Sequence, residues 1–141
     1  MLETYTEMKN RHQAEINAFP IGFAFSNEQF EKEMERLGVS SSKELLSIGY
    51  GGFIRKSDKQ AYLDLMNKIH DEEKEFKKQD KNLLDMFVYE MKNHEYQFSY
   101  DNEEVLSACG ISPDEINDRI EKIFKKAKKK FFKLCDENDW Y

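Results

Sequence analysis

Apolar residues recur along most of this chain at spacings of three and four, the mark of helices with one buried face. Leu2, Tyr5, Met8, Ile16 and Phe19 predict a first helix of about 16 residues, stopped by Pro20. Ile21-Gly22-Phe23-Ala24-Phe25 then reads as a strand. Ser26 with Gln29 forms a capping box for a helix facing inward through Phe30, Met34 and Leu37, and Gly38 ends it. Ser41 with Glu44 predicts a cap on a short helix carrying Leu45, Leu46 and Ile48. The turn Gly49-Tyr50-Gly51-Gly52 leads into a second strand at Phe53-Ile54-Arg55.

Ser57 with Gln60 predicts a cap for a helix whose inner face is Tyr62, Leu65, Met66, Ile69 and Phe76. That helix is expected to break near Gln79-Asp80. Asp80 would cap the next, which faces inward through Leu83, Leu84, Phe87, Val88 and Met91. Tyr96, Phe98 and Tyr100 alternate, which predicts a third strand. Asp101 with Glu104 caps a short helix ending before Gly110. Ser112-Pro113-Asp114-Glu115 opens a last helix running to about Cys135, with a stripe of Ile116, Ile120, Ile123, Ala127, Phe131 and Leu134. The expected fold is a helix-rich α+β single domain over 1–141. Five to seven helices would pack on a small antiparallel sheet built from about 21–25, 52–56 and 96–100.

Residues 23–48 and 98–120 resemble one another. Phe23-Ala24-Phe25-Ser26-Asn27-Glu28-Gln29-Phe30 parallels Phe98-Ser99-Tyr100-Asp101-Asn102-Glu103-Glu104-Val105, and Leu37-Gly38-Val39-Ser40 parallels Cys109-Gly110-Ile111-Ser112. Both segments would read strand, capped helix, glycine stop, second helix. Either an imperfect duplication or shared capping rules accounts for the likeness.

A length of 141 residues suits one domain with a core of its own. Hydrophobic residues are only 39% and charged residues 35%, but a 13% aromatic share supplies large buried areas and argues against disorder. No apolar run reaches the roughly 18 residues of a membrane span. The first residues carry neither the basic start nor the apolar segment of a secretory leader. Cys109 and Cys135 fall at apolar helix positions and read as small buried hydrophobes. A cytoplasmic location and no membrane contact are expected.

Net charge is −6 and unevenly spread. Seven lysines lie between Lys122 and Lys133 with no acid among them, and setting them aside leaves 15 basic residues against 28 acidic. Lys122, Lys125, Lys126, Lys129 and Lys130 are candidate nucleic-acid contacts on the side opposite the apolar stripe. The same lysines could instead be an ordinary solvated face near a helix C-terminus, or could neutralise the acidic remainder. Glu28, Glu31, Glu35, Asp71, Glu72, Glu75, Glu103 and Glu104 are candidates for an acidic partner-binding surface that imitates DNA phosphates; solvated helix faces are the plainer reading.

Signals for catalysis are weak. His12, His70 and His94 lie far apart, with no zinc-binding or calcium-loop spacing, and read as solvated. The glycines of Gly49-Tyr50-Gly51-Gly52 precede a strand rather than a helix, the wrong order for a phosphate cradle. No serine elbow is present, and neither cysteine has a basic neighbour in sequence. A binding protein, without catalysis and without a cofactor or metal, is expected.

Asn17-Ala18-Phe19-Pro20-Ile21-Gly22-Phe23-Ala24-Phe25-Ser26-Asn27-Glu28-Gln29-Phe30, Gly51-Gly52-Phe53-Ile54-Arg55-Lys56 and Asn93-His94-Glu95-Tyr96 resemble uncharacterised accessory proteins of phages and conjugative elements of gut Firmicutes. The resemblance covers about residues 1–120. Some small acidic proteins of such elements resemble anti-CRISPR inhibitors of the type II effector Cas9. That implies a protein partner, Cas9 or its guide RNA complex, and inhibition of host defence by stoichiometric binding. The residue pattern itself leaves open a nucleic-acid-binding accessory protein that uses the C-terminal lysine helix.

Overall fold

The computed structural model describes residues 3–141, so the expected helix position at Leu2 lies outside the described residues. The fold is α+β and helix-rich, with one small antiparallel sheet. The chain divides into two compact units, Thr6–Glu72 and Glu73–Tyr141, the second also taking the N-terminal residues through Tyr5.

The unit Thr6–Glu72 holds most of α1 (Tyr5–Ala18), then β1 (Gly22–Phe23), α2 (Asn27–Leu37), β2 (Leu45–Gly49) and β3 (Gly52–Arg55), and most of α3 (Lys59–Lys77). The sheet order is β1-β3-β2, with Gly22 opposite Phe53 and Leu46 opposite Ile54. Helix α2 begins where the capping box places it. Ser26 Oγ accepts from Gln29 N at 3.2 Å, while Gln29 Oε1 accepts from Phe25 N. It ends at Gly38, whose φ of +73° is least costly for a residue without a side chain. Phe30 packs edge-on against Phe53 (5.2 Å), and Leu37, Phe53 and Ile54 are buried.

Two expectations change in this unit. Leu45, Leu46 and Ile48 form strand β2, not a helix: the Ser41–Glu44 box closes one 3-10 turn over Ser42–Glu44 and the chain then extends. A five-residue segment with three apolar side chains beside a glycine turn is the right length for a hairpin strand and too short for a stable helix. Ser57 does not cap α3. It sits inside a 3-10 turn over Lys56–Asp58, braced by Arg55 Nε on Asp58 Oδ2 at 2.7 Å.

The second unit contains the end of α3, α4 (Asp80–Asn93), α5 (Tyr96–Ser99), α6 (Asn102–Ala108) and α7 (Asp118–Asn138). Its core is the packing of α4 on α7. Leu83, Met86, Phe87 and Met91 meet Ile123, Phe124, Ala127 and Phe131, all buried, with Phe87 and Phe124 edge-to-face at 5.1 Å. Both cysteines are buried, and burial raises the Cys135 thiol above its ordinary pKa. Asp80 lies just inside α4, with Gln79 at the cap position making no side-chain bond.

The strand expected at 96–100 is a single helical turn, α5. Tyr96 is buried at 2% exposure, whereas Phe98 and Tyr100 are 61% and 64% exposed. Tyr96 and Tyr100 are also four residues apart, which is a helical spacing, and their rings meet at 5.9 Å. The last helix likewise starts later than expected. Ser112 and Glu115 close only a 3-10 turn over Pro113–Glu115, and Asn117 caps α7, its Oδ1 accepting from Ile120 N at 2.9 Å. Ile116 therefore precedes the helix and is 36% exposed.

The two similar segments share a capped helix (Ser26 on α2, Asp101 on α6), a left-handed glycine (Gly38, Gly110) and a boxed 3-10 turn (Ser41–Glu44, Ser112–Glu115). Their flanks differ. One has β1 and β2 where the other has α5 and α7.

Candidate functional site

Helix α7 sorts its residues by period alone. Ile123, Phe124, Ala127, Phe131 and Cys135 are buried, with Ile120 and Leu134 half-buried beside them. One helical turn has 3.6 residues, so Lys122, Lys125, Lys126, Lys129 and Lys133 project from the opposite side. All five are exposed. From Lys122 to Lys133 the face runs about 17 Å.

The local partners of these lysines are few. Lys130 Nζ lies 3.9 Å from Asp85 Oδ1, and Lys133 Nζ lies 3.9 Å from Glu137 Oε1. Lys128 Nζ sits 5.9 Å from the Phe124 ring centroid. Among the described residues, the side chains of Lys122, Lys125, Lys126 and Lys129 make no hydrogen bond and no ion pair, and these four residues line one surface depression. Two plainer accounts of the cluster thus lose ground. The lysines do not neutralise acids of their own unit in any systematic way. Nor do they serve the helix dipole, because the last turn of α7 holds no basic residue.

An aromatic platform adjoins the lysines. Phe132 shares a depression with Lys125, Lys128, Lys129 and Lys133, rimmed by Asp136. Tyr100 stacks on Phe132 with ring centroids 5.8 Å apart and planes 23° from parallel. Beneath them the buried Tyr96 packs on Phe132 at 6.0 Å and bonds through its hydroxyl to Asn102 Oδ1. Tyr100 has φ +52°, a left-handed conformation costly for a side chain of its size. Tyr141 donates to Asp136 Oδ1 at 2.8 Å, and that bond pushes its phenol pKa up to about 12. A further groove of about 400 Å³ runs between α6 and α7, floored by Leu106, Ile116, Ile120 and Phe124 and edged by Glu103, Glu121, Lys125 and Lys128.

The acidic candidates gather only in part within each unit. In Thr6–Glu72, Glu28, Glu31 and Glu35 share one exposed face of α2, with Glu28 3.4 Å from Lys32. Asp71 is exposed on α3, but Glu72 is engaged by Arg11 (2.7 Å) and His12 (3.5 Å). Arg11 holds the Glu72 carboxyl below its ordinary pKa. In the other unit Glu75 pairs with Lys78 at 2.8 Å, Glu104 meets His94, and Glu103 is exposed on α6.

The histidines depart from the solvated reading in two of three cases. His70 is exposed, but His12 is buried at 5% exposure. His94 lies between two carboxylates, Nε2 3.2 Å from Glu90 Oε2 and Nδ1 2.7 Å from Glu104 Oε1. Glu90 is buried at 2% exposure and accepts from the Tyr5 hydroxyl at 3.1 Å, and burial drives that phenol's pKa strongly upward. Sequence reasoning missed this chain of contacts. Its one local signal was the four-residue helical spacing of Glu90 and His94. Among the described residues no three His, Cys, Asp or Glu side chains converge to hold a metal ion, and no helix is long and apolar enough to cross a membrane.

No curated protein and no solved structure matches the chain. A family model does match, over residues 4–130, and its description is a family of unknown function, DUF7659. That span leaves out only residues 1–3 and 131–141, and the chain belongs to this family.

Proposed function

We propose that the chain is a non-catalytic binding protein whose lysine face on α7 engages the sugar–phosphate backbone of a nucleic acid. The observation that carries this reading is the unpaired state of Lys122, Lys125, Lys126 and Lys129 among the described residues. Lys122 neighbours Lys125 and Lys126, and Lys125 neighbours Lys128 and Lys129, at three- and four-residue spacings. Each such like-charge pair costs about 0.2–0.5 kcal/mol. Phosphates would relieve that repulsion and release counterions. The net charge of −6 does not forbid it, since charges more than about 8 Å away are largely screened at physiological salt.

The test is binding of a labelled oligonucleotide across a salt series. Affinity should fall steeply as salt rises. Replacing Lys122, Lys125, Lys126 and Lys129 by Glu should abolish it. Binding that survives this replacement would reject the lysine face.

A second reading draws on α2. Glu28, Glu31 and Glu35 lie on one exposed face, about 10 Å from first to last. An acidic helix face of this kind suits a basic groove, and supports a mobile-element protein that binds and inhibits Cas9 or its guide RNA complex. Such a protein should co-elute with the Cas9–guide complex and suppress cleavage near equimolar ratio. Glu28→Lys, Glu31→Lys and Glu35→Lys together should release it.

A further inference from the structure

We infer that the polynucleotide taken by α7 is single-stranded, with a base laid on the Tyr100 ring. This inference rests on the lysine-face reading above and adds strandedness to it. Tyr100 is 64% exposed, backed by Phe132 at 5.8 Å in a near-parallel stack. Phe132 itself opens into the depression lined by Lys125, Lys128, Lys129 and Lys133. A solvent-facing ring stacked on the aromatic residue that lines a lysine depression is a pairing that single strands use. The cations follow the backbone, while the ring takes the π-face of an unstacked base. Bases in a duplex interior already stack on one another and cannot reach such a ring.

The geometry of Tyr100 strengthens the inference. A helix end with φ +52° favours Gly or Asn over an aromatic residue. Burial does not explain the ring, and neither does backbone preference. The shared chemistry is a flexible sugar–phosphate chain with free bases, which DNA and RNA both supply.

The experiment is fluorescence anisotropy with labelled single-stranded dodecamers, oligo(dT) and oligo(U), and a 12-base-pair DNA duplex. The proteins are the full chain, Tyr100→Gly, and the fourfold lysine-to-glutamate variant. Glycine relieves the left-handed backbone, so Tyr100→Gly removes the ring without endangering the fold. It should weaken single-strand binding roughly five- to hundred-fold and leave duplex binding unchanged. Tyr100→Phe should retain wild-type affinity. The relative affinity of oligo(dT) and oligo(U) tells whether the DNA or the RNA strand is preferred. Equal loss for single strand and duplex, or no loss for either, overturns the single-strand inference while the lysine face stands. If the lysine variant binds every probe as well as wild type, or if wild type binds none, both readings fall.

Discussion

Two regions of this protein handle charge in opposite ways. Between α1 and α3, Arg11 bonds Glu15 (3.1 Å) and Glu72 (2.7 Å), and Lys68 bonds Glu15 (2.9 Å) and reaches Glu72 at 3.9 Å. Arg11 and Lys68 each have two acids, and both acids are shared. On the outer face of α7, four lysines have no such partner among the described residues. In the first region charge joins two helices that are distant in sequence. In the second it raises the internal energy of one helix and remains available to something outside it. Composition treats the two alike, and only the pairing separates charge that joins helices from charge left exposed on one face.

The largest expected effect tests the docking side. Reversing Lys122, Lys125, Lys126 and Lys129 to Glu should lower nucleic-acid affinity by orders of magnitude. A milder Lys→Gln set should flatten the slope of log K against log salt by about 0.7–0.9 per phosphate contact removed. An unchanged slope would mean the contacts lie elsewhere. The structural side should respond in another observable. Glu72→Ala strips Arg11 and Lys68 of a shared acceptor, and at up to about 1 kcal/mol per pair it should destabilise the fold by roughly 1–2 kcal/mol. A denaturant midpoint measures this, and an unmoved midpoint would erase the contrast between the regions.

A smaller change sharpens the comparison through its sign. Lys126 has Lys122, Lys129 and Lys130 at helical-neighbour spacings, so Lys126→Glu turns repulsions into attractions. It should stabilise the protein by about 0.5–1 kcal/mol while weakening binding. Gain of stability with loss of binding is the signature of a surface held for function at some cost to the fold. Were Lys126→Glu to destabilise instead, Lys126 would belong with Arg11 and Lys68.

What was legible in the sequence follows the range of the interactions. Ser26 on Gln29 and Asp101 on Glu104 close within three residues, and both caps form where the sequence places them. The α7 stripe and its lysine face repeat one local period, and both are present. Leu45–Gly49 and Tyr96–Ser99 came out in exchanged roles because short apolar runs carry no period of their own. β2 is a strand because β3 lies beside it, and α5 has no such partner. The ties from Arg11 to Glu72 and from Tyr5 to Glu90 span 61 and 85 positions. No local rule reaches that far. The aromatic platform was hidden for the same reason, since Tyr100 and Phe132 are distant in sequence and meet only through folding.

The smallest expected effect is a pH dependence confined to the paired region. Hydrogen bonds from Lys68 to Glu15 and from Arg11 to Glu72 hold both carboxyls below the ordinary value of 4.5. A carboxyl whose pKa is depressed on folding releases its proton more readily in the native state. Its stabilisation is therefore fully present above about pH 4.5 and is lost as pH falls through the lower, folded value. Glu15→Ala/Glu72→Ala should thus be less stable than wild type at pH 7, and the gap should narrow as the pH is taken down to about 3. A gap of constant size across that range would show that the two carboxyls stabilise by packing rather than by charge. The pairing that sets α1 and α3 apart from α7 would then be geometric coincidence.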